Sequence, residues 1–92
     1  MQSLTTFHTS WEGQLSKISL DELMFVEMME DCCVFHLEDS RVMAEESAEK
    51  IMSYLPEDRF LPVRHKYMIN RSYITDINDD YVYVGSLRIA LK

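Results

Sequence analysis

Only one segment of this chain has the period of a helix, and that limits the fold more than any other feature. Between Glu45 and Leu55, Ala48, Ile51, Met52 and Leu55 fall at i, i+3, i+4 and i+7, the apolar stripe of an amphipathic helix. Ser47 is placed to cap it, Glu49 suits the positive end of its dipole, and Pro56 stops it. Elsewhere the apolar residues come in short runs with period two, rich in β-branched and aromatic side chains and cut by turn residues. A lone helix of about three turns has to bury its stripe on a sheet. The expected fold is therefore mostly β with one short helix, its strands antiparallel.

The runs follow one another closely. Residues 1–14 read as an N-terminal lead-in or edge strand, polar and Thr-rich up to Ser10, with Leu4 and Phe7 as its possible anchors. Glu12-Gly13 gives the first turn, and Lys17–Ser19 a short strand. Leu23–Met28 is the next strand, with Leu23, Phe25 and Glu27 expected on one side. Glu30-Asp31 turns the chain into Cys33–Leu37, and Glu38-Asp39-Ser40 turns it into Arg41–Ala44. Past the helix, Phe60–Asn70 alternates apolar and polar residues, and Tyr73–Ile77 is a further strand. Asn78-Asp79-Asp80 leads into Tyr81–Val84, and Gly85-Ser86 closes a hairpin with Leu87–Leu91. In that hairpin Leu87, Ile89 and Leu91 share one face, Arg88 and Lys92 the other. Eight or nine strands in a single domain over residues 15–92 are expected. Ninety-two residues are near the lower limit for a self-sufficient core.

Several classes of function find no support. There is no nucleophile-elbow context for a serine and no Gly-rich phosphate loop, with only Gly13 and Gly85 in the chain. His8, His36 and His65 lack metal-ligand spacing to Cys32 or Cys33, and Glu45-Glu46 and Asp79-Asp80 read as solvated turns. The seven methionines suit core filling better than a cofactor box. Enzymatic activity, a cofactor and a small-molecule substrate are not expected. No run approaches the length of a membrane span, and no secretory signal opens the chain. With adjacent cysteines that rarely bridge each other, this points to a cytoplasmic protein with reduced thiols.

Charge is distributed unevenly. The formal net charge is −7, which argues against a polyanionic partner. Yet residues 1–58 hold thirteen acidic and three basic side chains, while residues 59–92 hold six basic and three acidic ones. The positive charge centres on Arg64-His65-Lys66, with Arg59 before it and Arg71 after, interleaved with Phe60, Val63, Tyr67 and Ile69. That pattern suits an element buried on one side with cations held outward. Arginine can fork onto guanine or phosphate, and lysine and protonated histidine add donors. A merely solvated basic turn or strand edge would show the same three residues.

The stretch resembles the hallmark of LytTR-type DNA-binding domains, effector domains of bacterial response regulators in two-component systems. Their Tyr-Ile-Val-Asn is matched by Tyr67-Met68-Ile69-Asn70, so that Arg64, His65 and Lys66 fall on the His, Arg/Asn and Ser positions. Ile18 to Glu27 is similar to that family's first strands, and Leu55-Pro56 followed by Phe60 to its helix end. The resemblance covers about residues 15–91. It implies elongated antiparallel sheets and sequence-specific binding of double-stranded DNA as a transcription-regulator effector domain. The candidate contacts are Arg64, His65, Lys66, Arg71, Arg88 and Lys92. The acidic Glu30-Asp31 hairpin and the acidic first half support a second possibility, a divergent LytTR-like module that no longer binds DNA and serves a protein partner or self-association.

Overall fold

The computed structural model describes residues 6–92; Leu4, one of the two expected N-terminal anchors, lies outside them. Among the described residues there are ten strands, one α-helix and one 3-10 turn. The strands are β1 (Thr6–Trp11), β2 (Gln14–Ser19), β3 (Leu23–Met28), β4 (Cys33–Leu37), β5 (Arg41–Ala44), β6 (Phe60–Val63), β7 (Tyr67–Asn70), β8 (Ile74–Ile77), β9 (Tyr81–Val84) and β10 (Leu87–Ala90). The helix α1 covers Ala48–Tyr54. The strand total exceeds the eight or nine expected, because Phe60–Asn70 folds as two strands around a turn.

The strands form three sheets, all antiparallel: a ribbon β1-β2, a five-stranded sheet β5-β4-β3-β7-β6, and a three-stranded sheet β10-β9-β8. The five-stranded sheet is the middle layer. One face carries Leu23, Val26, Met28, Cys33, Phe35, Ala44, Phe60 and Met68 into a core completed by Phe7, Ile18, Ile51 and Leu55. Its other face sends Phe25, Val63 and Ile69 against Val82, Val84 and Ile89 of the three-stranded sheet. The domain measures 39 × 33 × 25 Å.

α1 connects β5 at one edge of the middle sheet to β6 at the other, and so lies across the first face. Ser47 Oγ accepts the Lys50 N–H at 3.2 Å, the expected cap. Ile51 and Leu55 are buried, but Met52 is 40 % exposed, contrary to the full stripe expected. A helix of seven residues presents one narrow strip to the sheet. Tyr54 fills the place beside Ile51 instead, its ring 5.4 Å from that of Phe7.

Two further expectations need correction. Leu23 and Phe25 do not share a side: the β3–β4 register shifts between them, and this bulge sends Leu23 to the first core and Phe25 to the second. Glu46 is no solvated turn residue. It accepts a hydrogen bond from the buried Thr9 hydroxyl at 3.0 Å and pairs with Lys50 at 3.4 Å, while Glu45 Oε1 accepts the Glu12 N–H at 2.7 Å. The two carboxylates tie the first hairpin to the start of the helix.

Asn70, the last residue of β7, is buried and fully satisfied. Its Nδ2 donates to the carbonyls of Leu20 and Leu23, and its Oδ1 accepts the Ser72 N–H. It thereby fixes the turn into β3 and starts the 3-10 turn Arg71–Tyr73.

Candidate nucleic-acid interface

Arg64, His65 and Lys66 form the turn between β6 and β7, with Val63 and Tyr67 paired across its base. The Lys66 N–H donates to the Val63 carbonyl at 3.0 Å, closing a tight turn whose central residues are Arg64 and His65. Both have φ of 56°, the left-handed region that side-chain-bearing residues rarely occupy. Turns of this handedness match the twist of the flanking strands and normally carry Asn or Gly. Here an arginine and a histidine accept a strain of about 1 kcal/mol or more each. A backbone held this way at an exposed tip is a feature of sites that present side chains.

The base of the turn is rigid. The Met28 N–H donates to the Lys66 carbonyl at 2.7 Å, fastening the turn to the end of β3. Val63 is buried, and the Tyr67 ring stands edge-on to Phe25 at 6.1 Å. Lys66, half-buried, holds its Nζ 5.5 Å from the centre of the Tyr67 ring, which supports its stem. The ion pairs among the described residues are Glu27–His36, Glu46–Lys50 and Asp21–Arg59. None involves the turn. Arg59 is taken up by Asp21 at 2.8 Å, whereas Arg64 and Lys66 have no carboxylate partner among the described residues of a protein of net −7.

The other expected contacts do not form one edge with the turn. Arg88 lies on β10, its guanidinium 4.4 Å over the Tyr81 ring, and it lines a groove shared with Arg64. Arg71 follows the far end of β7, four residues or about 13 Å along the strand from the turn. It borders a separate depression with Met52, Glu57, Pro62 and Met68. Lys92 is exposed beyond the end of β10.

The acidic turn Glu30-Asp31 stands beside the basic one. The Met29 N–H donates to the Cys32 carbonyl at 2.8 Å to close it, one residue past the Met28–Lys66 link. Two turns of opposite charge thus share one end of the middle sheet.

Arg41 and His36 were not among the expected site residues, yet they line the groove with Arg64 and Arg88. They face each other across β4 and β5. The Glu38-Asp39-Ser40 turn signal, read with the alternation of the two strands, contains that pairing. His36 Nε2 lies 3.3 Å from Glu27 Oε1, and its ring stacks on Phe25 at 4.1 Å.

A mostly β fold of antiparallel sheets with one helix is what the sequence resemblance implies, and the comparisons agree with it. The family model of the LytTr DNA-binding domain matches residues 13–92. The chain belongs to the LytTr DNA-binding domain family. Among solved structures, the LytTr fold is matched by one described as the LytTr DNA-binding domain of a methyl-accepting/DNA response regulator from Bacillus cereus. The match has a TM-score of 0.80 and 14% identity, and covers 97% of this chain and 87% of that one. No curated protein matches at a significant level. Among the described residues this LytTr domain is mostly β with one α-helix, and no helix is long and apolar enough to cross a membrane.

Proposed function

We propose that this LytTr domain binds double-stranded DNA sequence-specifically, as the effector domain of a transcription regulator, with the Arg64–Lys66 turn as its reading element. The observation that carries this reading is the turn itself. Arg64 and His65 are exposed on a strained backbone with Lys66 beside them, none of the three in an ion pair among the described residues, on a base fixed by Val63, Tyr67 and Met28. A tight hairpin tip is narrow enough for a major groove about 12 Å wide. Arg64 has the planar fork that recognises the O6 and N7 atoms of guanine, and Lys66 supplies a point charge for phosphate. Arg88, its guanidinium over Tyr81 on the outer face of β10, adds a further cation beside the same groove. The family membership supports the same reading.

Selection of bound duplexes from a random pool, at low salt, tests it. An enriched sequence supports the reading, and the absence of any duplex binding overturns it. The second reading, a LytTr module serving a protein partner, is favoured by the Glu30-Asp31 turn beside the basic one, which repels phosphate from that side. In that case the selection returns nothing.

A further inference from the structure

The face of the middle sheet opposite the helix is only partly covered. β3, β7 and β6 pack on the three-stranded sheet through Phe25, Val63 and Ile69. β4 and β5 turn Val34, His36, Arg41 and Met43 to the same side, and Met43 is 40 % exposed. A groove of about 480 Å³ runs between this face and β10. Arg64 and Tyr67 stand at one end of it and Arg41 with Leu37 at the other, so it follows the length of the strands.

β10 is the outer strand of its sheet. Its pairing fixes which backbone groups are free. The Leu91 N–H donates to the Asp80 carbonyl, and antiparallel pairs alternate, so Ile89 and Leu87 also turn their amides toward β9. Arg88 and Ala90 therefore direct their N–H and C=O groups away from β9, at the free edge. Both residues line the groove. A free edge of this kind takes another strand unless something blocks it.

The groove also has a chemical preference. Its floor is apolar, with Phe25, Leu37 and Ile89, while Arg41 and Arg64 stand at its two ends and Arg88 holds its guanidinium over Tyr81, on the other face of β10. The acidic residue in its lining is Glu27, already engaged by His36. We propose that this groove receives an extended acidic segment of a partner protein, with alternating apolar and acidic side chains, added as a fourth strand on β10. Main-chain hydrogen bonds to Arg88 and Ala90 hold the segment, its apolar side chains rest on the uncovered part of the middle sheet, and its carboxylates meet Arg88 on the opposite face and Arg41 and Arg64 at the two ends of the groove. A second copy of the chain suits the site poorly, because the β10 strand it would bring, Leu87–Ala90, carries no acidic side chain to meet the arginines. The site shares Arg64 and Arg88 with the duplex-binding reading but does not rest on it, and it is tested without DNA.

The probe is an acetylated and amidated peptide of about eight residues, a typical strand length, alternating valine and glutamate. Amide hydrogen exchange of Arg88 and Ala90 is followed by NMR, and affinity by polarisation of the fluorescein-labelled peptide. The two amides are expected to exchange fast in the free protein and to slow about tenfold or more at saturating peptide. A valine–lysine peptide is expected to bind about tenfold more weakly, as are Ala90→Pro, which removes an edge donor not used by β9, and Arg41→Glu. Three results overturn the proposal: no saturable binding of the glutamate peptide, equal binding of the lysine peptide, or Arg41→Glu binding as wild type. Should Ala90→Pro fail to fold, the exchange data and Arg41→Glu still decide the matter.

Discussion

Asn70 Nδ2 donates to the Leu23 carbonyl at 2.8 Å, joining the end of β7 to the start of β3 across 47 residues of sequence. The same amide donates to the Leu20 carbonyl at 3.2 Å, and no buried polar side-chain atom among the described residues lacks a partner. Asn70→Ala leaves two carbonyls without their donor, and such losses cost about 1–3 kcal/mol. Asn70→Asp is expected to be worse, since it points carboxylate oxygens at carbonyl oxygens. Urea denaturation measures both, and wild-type stability in either variant would remove this role for Asn70.

The helix gives a sharper contrast. Ile51 is fully buried and Met52 is 40 % exposed, although they are neighbours on the same predicted stripe. Ile51→Ala is expected to cost about 2–5 kcal/mol, as deletions from a packed core do. Met52→Ala should stay within about 0.5 kcal/mol of wild type, the range for surface changes. Equal losses at the two positions in chemical denaturation would mean that the helix is rotated from the orientation described.

The difference between those two residues shows what a linear sequence can and cannot convey. Period, caps and turn residues place nearly every element, because each depends on neighbours within a few positions. Which part of a stripe is used depends on what the sheet offers, and Tyr54 on Phe7 takes the room that Met52 was expected to fill. The bulge between Leu23 and Phe25 is equally invisible, since nothing in an alternating run marks where alternation fails. At the site, the basic triplet was legible as charge. That it forms the tip of a tight turn with two left-handed residues was not, because neither Arg64 nor His65 is a residue such turns favour. The groove between β10 and the middle sheet brings together residues from five separate strands and the Arg64 turn, and no local pattern encodes it.

The two adjacent cysteines should behave differently. Cys33 is fully buried, and its thiol is pushed up to about 11, first by burial and then by the nearby Cys32 and Glu46. Cys32 is only partly buried, in the β3–β4 turn. At pH 8 iodoacetamide is expected to label Cys32 first and Cys33 only on unfolding, because the thiolate is the reactive form. The sign for stability follows from linkage. With its folded value raised above the ordinary 9.0, Cys33 contributes in full below pH 9, and its contribution is lost as the pH climbs through about 11. Cys33→Ser should lack that alkaline loss, as a titration of unfolding free energy shows.

Glu30 and Asp31 offer a test by charge removal. Standing beside the basic turn, they repel a phosphate backbone at close range and are screened at high salt. The double variant Glu30→Gln, Asp31→Asn is expected to tighten duplex binding at low salt, with the gain shrinking as salt is added. Unchanged affinity across the salt series would place the duplex away from this end of the sheet.

The turn itself separates stability from recognition. Both Arg64 and His65 occupy a backbone region that glycine adopts freely, so His65→Gly is expected to raise stability by about 0.5–1 kcal/mol while weakening duplex binding. Lys66→Ala should flatten the slope of log affinity against log salt by about one unit, as loss of one phosphate contact does. Arg64→Ala should behave differently, costing about 1–3 kcal/mol at one preferred base pair while leaving nonspecific binding nearly intact. The contrast rests on geometry: a planar guanidinium can satisfy two acceptors on one guanine, and an ammonium cannot. Titrations of each variant against the selected duplex and a scrambled one, at several salt concentrations, resolve the three effects. If Arg64→Ala weakens both duplexes alike, Arg64 is a phosphate contact and base reading has to come from another part of the turn.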